Sequence, residues 1–317
     1  MDLSILFATR NRAPQLEETL EHYRALDTRG LQWELIVVDN GSSDGTFELL
    51  EKMSAHLPIV RLSVDGVGQN RARNEAMERL SGDLVIFTDD DVLPARDCIR
   101  AYMEAAARWP EDAIFGANIT PKFPPGTPEW MQVADFEFST TAFARYAPAE
   151  VEGPVKRHPY GPSFAVRRSA MEGMRFNAQL GPQTGSYAMG GEGDFLRRLA
   201  THGYRYIYVP TAHVHHVVRP EQVQPEWLFA RANKKGRGQV YLPSSRRPPR
   251  FYVGGVPLKL LFATLRSGLR FWFGSLLPGR SERRQVERGI VYQLRLGQVQ
   301  ELRAQKRRSS SDAVRMH

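Results

Sequence analysis

Apolar residues along the first third of the chain fall into two alternating patterns. Compact runs of strand length occur at LSILFA (3–8), WELIVVD (33–39), IVRLSV (59–64) and DLVIFTD (83–89). Each is followed by a segment with helical spacing, at 14–26, 43–53, 68–80 and 94–109, and Pro14 stands near the first turn of the first helix. Strand and helix alternate four times across short connections. That rhythm predicts a mostly parallel sheet covered by helices on both faces, with right-handed crossovers. The regularity then fades. Residues 118–160 hold seven prolines and several aromatics and predict a long ordered loop region. A strand is predicted at 161–168, and a helix at 190–203 with acids near its start and Gly203 as its stop. A last strand is predicted at 204–210. No internal repeat is present.

The polar residues cluster where strands end. VIFTDDDV (85–92) sets three carboxylates directly after four buried-type residues. Like charges this close repel, and folding alone does not ask for them. Two readings compete: a solvated turn with an Asp capping a helix before Pro94, or a site for a hard cation. Mg²⁺ takes oxygen ligands and commonly shares its shell with phosphate. Open α/β sheets bind ligands at the carboxyl ends of their strands. ATRNR (8–12), DNGSSDGT (39–46) and TDDDV (88–92) all fall at such ends, which suggests one pocket.

Composition changes this picture mainly at the other end. The 317 residues are 42% hydrophobic, enough for a sizeable core, and a single cysteine, Cys98, excludes an internal disulfide. The start lacks the basic region of a signal peptide, and no apolar run reaches the length of a spanning helix. Residues 1–230 carry 23 Lys+Arg against 31 Asp+Glu, a net −8, whereas residues 231–317 carry 20 against 4, a net +16. The basic third therefore seeks an anionic partner. Within it, Lys259, Arg266, Ser267 and Arg270 share one helical face of 256–274, while Leu258, Leu261, Phe262, Leu265, Leu269, Trp272 and Phe273 fall mostly on the other. This is the composition of a helix lying in a membrane interface, or of one packed on the catalytic domain. Residues 304–317 read as a disordered tail.

Taken in order, FATRNR, VVDNGSSDGT, GQNRARNEA, FTDDDV, GPSFAVRR and GGEGDFLRRL resemble the blocks of family 2 glycosyltransferases over roughly residues 2–240. The resemblance implies the GT-A fold, a Rossmann-like α/β architecture with a mostly parallel central sheet, here followed by a basic, mainly helical C-terminal extension. It implies a catalytic domain over 1–230, with a nucleotide-binding half to about 117 and an acceptor half from about 118. A basic helical region (231–303) and the tail follow. Carried over by motif, Ala8, Thr9 and Arg10 flank the nucleoside, and Asp39 accepts a hydrogen bond from the base. Arg73 lies close to the nucleotide. Asp89 and Asp91 take the outer places of a DxD motif, with Asp91 the first choice as metal ligand and Asp89 reaching the ribose or a metal-bound water, and Asp90 between them is counted with the nucleotide-binding residues. In the acidic block Glu192 takes the place of the general base, and Asp194 is its rival. Among the three histidines of 211–218, His216 fits a metal or diphosphate partner best, and His213 second.

The implied reaction is metal-dependent (Mg²⁺ or Mn²⁺) transfer of a sugar, with a UDP-sugar favoured as donor, to an acceptor hydroxyl with inversion. The acceptor would be a glycan or lipid-linked molecule in cell-surface polysaccharide or glycolipid synthesis. The enzyme would sit on the cytoplasmic side, at an anionic membrane surface. Two alternatives belong to other classes. A nucleotidyltransferase usually carries a Gly-rich loop with a Lys near the first strand, which FATRNRAP lacks. A nucleic-acid-binding protein would use the basic tail but leaves the rim clusters unexplained, so no nucleic acid is expected.

Overall fold

The computed structural model describes residues 1–66, 68–183, 186–242, 249–275 and 281–315. In chain order the elements are β1 (Leu3–Thr9), α1 (Ala13–Arg24), β2 (Trp33–Asp39), α2 (Thr46–Ser54), β3 (Ile59–Ser63), α3 (Gln69–Met77), β4 (Leu84–Thr88), β5 (Val92–Pro94), α4 (Cys98–Arg108) and β6 (Ile114–Lys122). There follow α5 (Glu129–Gln132), α6 (Ser139–Ala142), β7 (Gly153–Val155), β8 (Ser163–Arg167), β9 (Gly181–Gln183), β10 (Ser186–Ala188), α7 (Gly191–Ala200) and β11 (Tyr206–Val217). The last are α8 (Pro225–Gln239), β12 (Tyr252–Val253), β13 (Val256–Pro257), α9 (Leu258–Ser275) and α10 (Glu282–Arg315). They form two compact units. One comprises Met1–Pro125, Ser139–Ala178 and Gly191–Val218; the other comprises Gly126–Phe138, Gln179–Gly190 and the chain from Arg219.

The first unit is built on a sheet of order β3-β2-β1-β4-β8-β6-β11-β5, with β7 also paired to β11. The first four strands are parallel, as the βα rhythm predicts. Successive side chains of a strand point to opposite faces, and here both faces are apolar. Leu3, Ile5, Phe7, Leu35, Val37, Leu84 and Ile86 enter one core with α1 and α4. Leu6, Ile36, Val38, Val85 and Phe87 enter the other with α3 and α7. Burial on two sides is why these runs read as continuous rather than alternating. Phe87 anchors the second core, stacked on Phe164 at 5.0 Å and meeting Phe176 edge-on at 5.4 Å.

Beyond the parallel strands the sheet gains antiparallel pairs, β8 with β4 and β6, and β5 and β7 with β11. Three expectations change. The span 118–160 is no long loop, because β6 reaches Lys122 and α5, α6 and β7 follow. The strand predicted at 204–210 continues to Val217, with its register shifting between Val209 and His213 beside Pro210. The boundary set at 230 falls after Val218, and two earlier segments belong to the second unit.

The second unit is helical around α8 and α10. The two backbones approach so closely that a Cβ on Gly236 would lie 1.9 Å from the Leu294 carbonyl oxygen, and one on Gly297 2.1 Å from that of Asn233. Any larger residue would separate the helices. The Glu301 carboxylate, almost fully buried, accepts from the Tyr241 hydroxyl (2.7 Å) and from Arg308 (2.5 Å), and faces Arg237 Nε at 3.2 Å. Helix α10 runs on to Arg315, where a disordered tail was expected from 304; Ala304, Gln305, Lys306 and Arg307 are good helix formers and Arg308 is tied back to Glu301. The remaining tail residues, 316 and 317, lie outside the described residues.

Candidate active site

The carboxyl ends of the parallel strands form one rim. Thr9 is level with Asp39, and Asp39 with Ser63. The Asp39 carboxylate closes its own turn, with Oδ1 accepting from the Ser42 N–H at 2.9 Å. Ala8 is half-buried beside Val38, and Arg10 is exposed with its guanidinium over Gly66. The three acids after β4 have separate surroundings. Asp90 turns inward: its Oδ2 accepts from Thr9 Oγ1 at 2.7 Å and its carbonyl from Thr19 Oγ1 at 2.9 Å. It fastens the acidic loop to β1 and α1. Asp89 and Asp91 make their contacts elsewhere.

Asp89 meets Arg73, a side chain with no exposed surface. Arg73 Nη2 donates to Asp89 Oδ1 at 2.8 Å and Nη1 to Glu192 Oε1 at 2.6 Å. One guanidinium thus joins the acidic loop to the start of α7. Gln69, one turn earlier on α3, also reaches Asp89 (3.3 Å). Burial pushes the Asp89 carboxyl up from its ordinary range; Arg73 opposes this, while Asp91, Glu192 and Asp90 add to it. Glu192 and Asp194 lie two residues apart on a helix, so they project about 200° apart. Glu192 faces Arg73, whereas Asp194 pairs with Arg198 on its own helix at 3.0 Å.

Asp91 looks the other way. Its Oδ1 lies 3.6 Å from His216 Nε2, and its Oδ2 lies 3.4 Å from Arg12 Nη1. The histidines sit within β11 rather than after it. His213 and His215 share a face, with rings 4.6 Å apart, and His213 Nε2 bonds Thr120 Oγ1 at 3.0 Å. Burial lowers the pKa of both. His216, on the opposite face, is the one that reaches the acidic loop. A carboxylate oxygen and an imidazole nitrogen, both largely buried and too far apart for a hydrogen bond, are a donor pair suited to a divalent cation such as Mn²⁺ or Mg²⁺. Among the described residues, no three His, Cys, Asp or Glu side chains gather closely enough to hold a metal by themselves. A cation here would share its shell with other ligands, as Mg²⁺ does with phosphate and water.

Two contributors escaped sequence reasoning. Arg12 carried no signal beyond its place just after β1, and Gln69 none beyond its spacing of four from Arg73.

A sheet of this order, with its acidic loop and acidic helix meeting at the carboxyl ends of parallel strands, has the GT-A fold. Residues 4–174 match the model of Glycosyl transferase family 2, and the chain belongs to that family. It is 27% identical over 231 residues to the succinoglycan biosynthesis protein ExoM of Rhizobium meliloti (strain 1021), covering 71% of this chain and 70% of that one. It is 29% identical over 93 residues, 29% of this chain and 16% of the relative, to the poly(ribitol-phosphate) β-N-acetylglucosaminyltransferase TarS of Staphylococcus aureus (strain Mu50). Among solved structures, the mannosyltransferase PcManGT from Pyrobaculum calidifontis, in complex with GDP-Man and Mn²⁺, superposes with a TM-score of 0.61 at 19% identity, covering 94% of this chain and 86% of that one. S. aureus TarS 1–349 in complex with UDP gives 0.52 at 15% identity, covering 94% and 90%. At these identities the structural likeness shows the fold alone.

Proposed function

We propose that this glycosyltransferase moves a hexose from a nucleotide-diphosphate sugar, a UDP-sugar being favoured, to an acceptor hydroxyl with inversion. The acceptor is a growing glycan or a lipid-linked molecule of a cell-surface polysaccharide. The observation that carries this is the buried Arg73, which holds Asp89 and Glu192 on one rim beside Asp91 and His216. Asp91 and His216 would hold Mg²⁺ or Mn²⁺, with Asp89 close by. When bound, the cation offsets the negative charge that develops on a departing diphosphate.

The remaining roles fall to the chain itself. Asp39 accepts from a ring N–H of the base, which uracil and guanine both offer. Ala8, Thr9 and Arg10 form the wall beside the nucleoside. Arg73 Nη1 donates to Glu192 Oε1 and fixes where that carboxylate points. Glu192 takes the proton of the acceptor hydroxyl as that oxygen bonds to the anomeric carbon. The bond from that carbon to the diphosphate breaks, and its electron pair leaves with the diphosphate. Asp194 pairs with Arg198, whose Nη2 donates to the Arg175 carbonyl at 2.6 Å and ties α7 to the segment before it. The names of the relatives, with UDP in TarS and GDP-Man with Mn²⁺ in PcManGT, support a nucleotide-sugar donor.

The test is diphosphate release from a panel of UDP-sugars and GDP-mannose with Mn²⁺, followed by NMR of the product's anomeric centre. A β-linked product from an α-linked donor is expected. Retained configuration would sink the single-displacement assignment, and no turnover with any donor would sink the donor class.

A further inference from the structure

Helix α9 buries an unexpected side. Thr264 and Ser267 are buried, a Cβ on Gly268 would sit 3.0 Å from the Tyr292 ring, and Arg295 donates to the Ala263 carbonyl at 2.8 Å. The small, polar face of α9 therefore packs on α10. Its large apolar side chains face out: Phe262, Leu265, Leu269, Trp272 and Phe273 are 48% to 63% exposed. At 3.6 residues per turn these five occupy a band about 100° wide. Lys259, Arg266 and Arg270, all exposed, form a single row along one edge of that band. At the N-terminal end of the helix, the hairpin β12–β13 is fastened by the Leu258 N–H to the Phe251 carbonyl (3.0 Å) and presents Phe251, Tyr252 and Val253 at 52% to 70% exposure. Fourteen large apolar side chains are exposed among the described residues, and eight of them lie in these 23 positions. Such concentration marks an interaction surface rather than ordinary scatter.

We propose that this face docks on an anionic lipid bilayer, with the Phe/Leu/Trp band entering the headgroup–acyl boundary and the Lys259/Arg266/Arg270 row pairing with lipid phosphates. The charge decides the partner. Residues 231–317 carry a net +16, so a second copy would bring like charge against like, whereas an anionic leaflet supplies the opposite sign. Aromatic residues beside cations are also the composition that seats a helix in an interface. No described helix is long and apolar enough to cross a membrane, so contact here is along the surface. Docking would leave the enzyme at the cytoplasmic face of the membrane, beside a lipid-linked acceptor. The surface is independent of the assigned chemistry, and its test needs no turnover.

Full-length protein is sedimented with vesicles of phosphatidylcholine alone and of 70:30 phosphatidylcholine:phosphatidylglycerol, at low and high salt. Binding to the anionic vesicles is expected, weakened by salt. Each cation is worth about fivefold in partitioning, so K259Q/R266Q/R270Q should weaken binding by roughly 10²-fold while keeping the parent melting temperature. F262S/L265S/W272S should abolish binding at low salt. Trp emission should shift to the blue on anionic vesicles, and W272F should remove most of that shift. Equal binding to both vesicle types would overturn the charge assignment. No binding of the parent at low salt would overturn the proposal. So would a concentration-dependent dimer, seen by ultracentrifugation, that F262S/L265S/W272S dissolves while vesicle binding persists.

Discussion

Removing Arg73 tests the coupling at the centre of the site without needing any substrate. Arg73→Met keeps most of the side-chain volume but leaves Asp89 and Glu192 facing each other across a space that held their shared cation, 2.8 Å and 2.6 Å away. Breaking a buried ion pair by deleting one partner costs about 3–5 kcal/mol. Both acids keep about a quarter of their side-chain surface in water (24% each), and partial rehydration moves the figure to the lower end, about 3 kcal/mol. For a unit of this size, 1 kcal/mol moves the melting temperature by about 2–4 °C, so the loss should be roughly 6–12 °C by differential scanning calorimetry. Arg73→Lys should lose less, since the charge remains but a single ammonium cannot reproduce the fork. Adding Asp89→Asn and Glu192→Gln to Arg73→Met removes the stranded charges and should recover at least half the loss. An Arg73→Met protein melting within 1 °C of the parent, or a triple variant no more stable than the single, would refute the coupling.

Three further outcomes follow from the same geometry. Asp91→Asn should weaken Mn²⁺-dependent UDP binding by at least the roughly 10- to 100-fold that loss of an outer-shell partner costs at metal sites; unchanged affinity by calorimetry would remove Asp91 as a ligand. Glu192→Gln should cut turnover by roughly 10²–10⁴-fold with donor binding preserved, whereas Asp194→Asn should be milder; the reverse order in a steady-state assay would transfer the base to Asp194. Thr9→Val removes the hydroxyl that donates to Asp90 Oδ2 and should destabilise the fold by about 1 kcal/mol in urea unfolding, and no change in midpoint would contradict the anchoring role of Asp90.

The parallel half of the sheet was legible because strands buried on both faces write themselves as uninterrupted apolar runs; β2 falls on its predicted residues. Other strands left no such mark. β6 carries Gly116, Asn118 and Pro121 yet lies centrally between β8 and β11, so tertiary pairing overrode its local preference. β11 is interrupted by Pro210 and a register shift, and its polar histidines disguised the continuation. In the site, Asp89 and Asp91 stood out because crowded carboxylates need a reason. Arg12 did not, since its partner lies 79 residues away and nothing local marks it. The amphipathic pattern of 256–274 was visible, but not which face would be covered. Thr264, Ser267 and Gly268 form a narrow third face that a two-sided division into polar and apolar hides.

The central claim is that the rim formed by β1, β2 and the acidic loop binds a nucleotide diphosphate through a divalent cation. Calorimetric titration of UDP into the full chain tests this most directly, run with Mn²⁺, with Mg²⁺ and with chelator. A single site per chain is predicted, present with either cation, lost with chelator and weakened in Asp91→Asn. UDP binding of equal strength in chelator, or none with either cation while the protein remains folded, would contradict it.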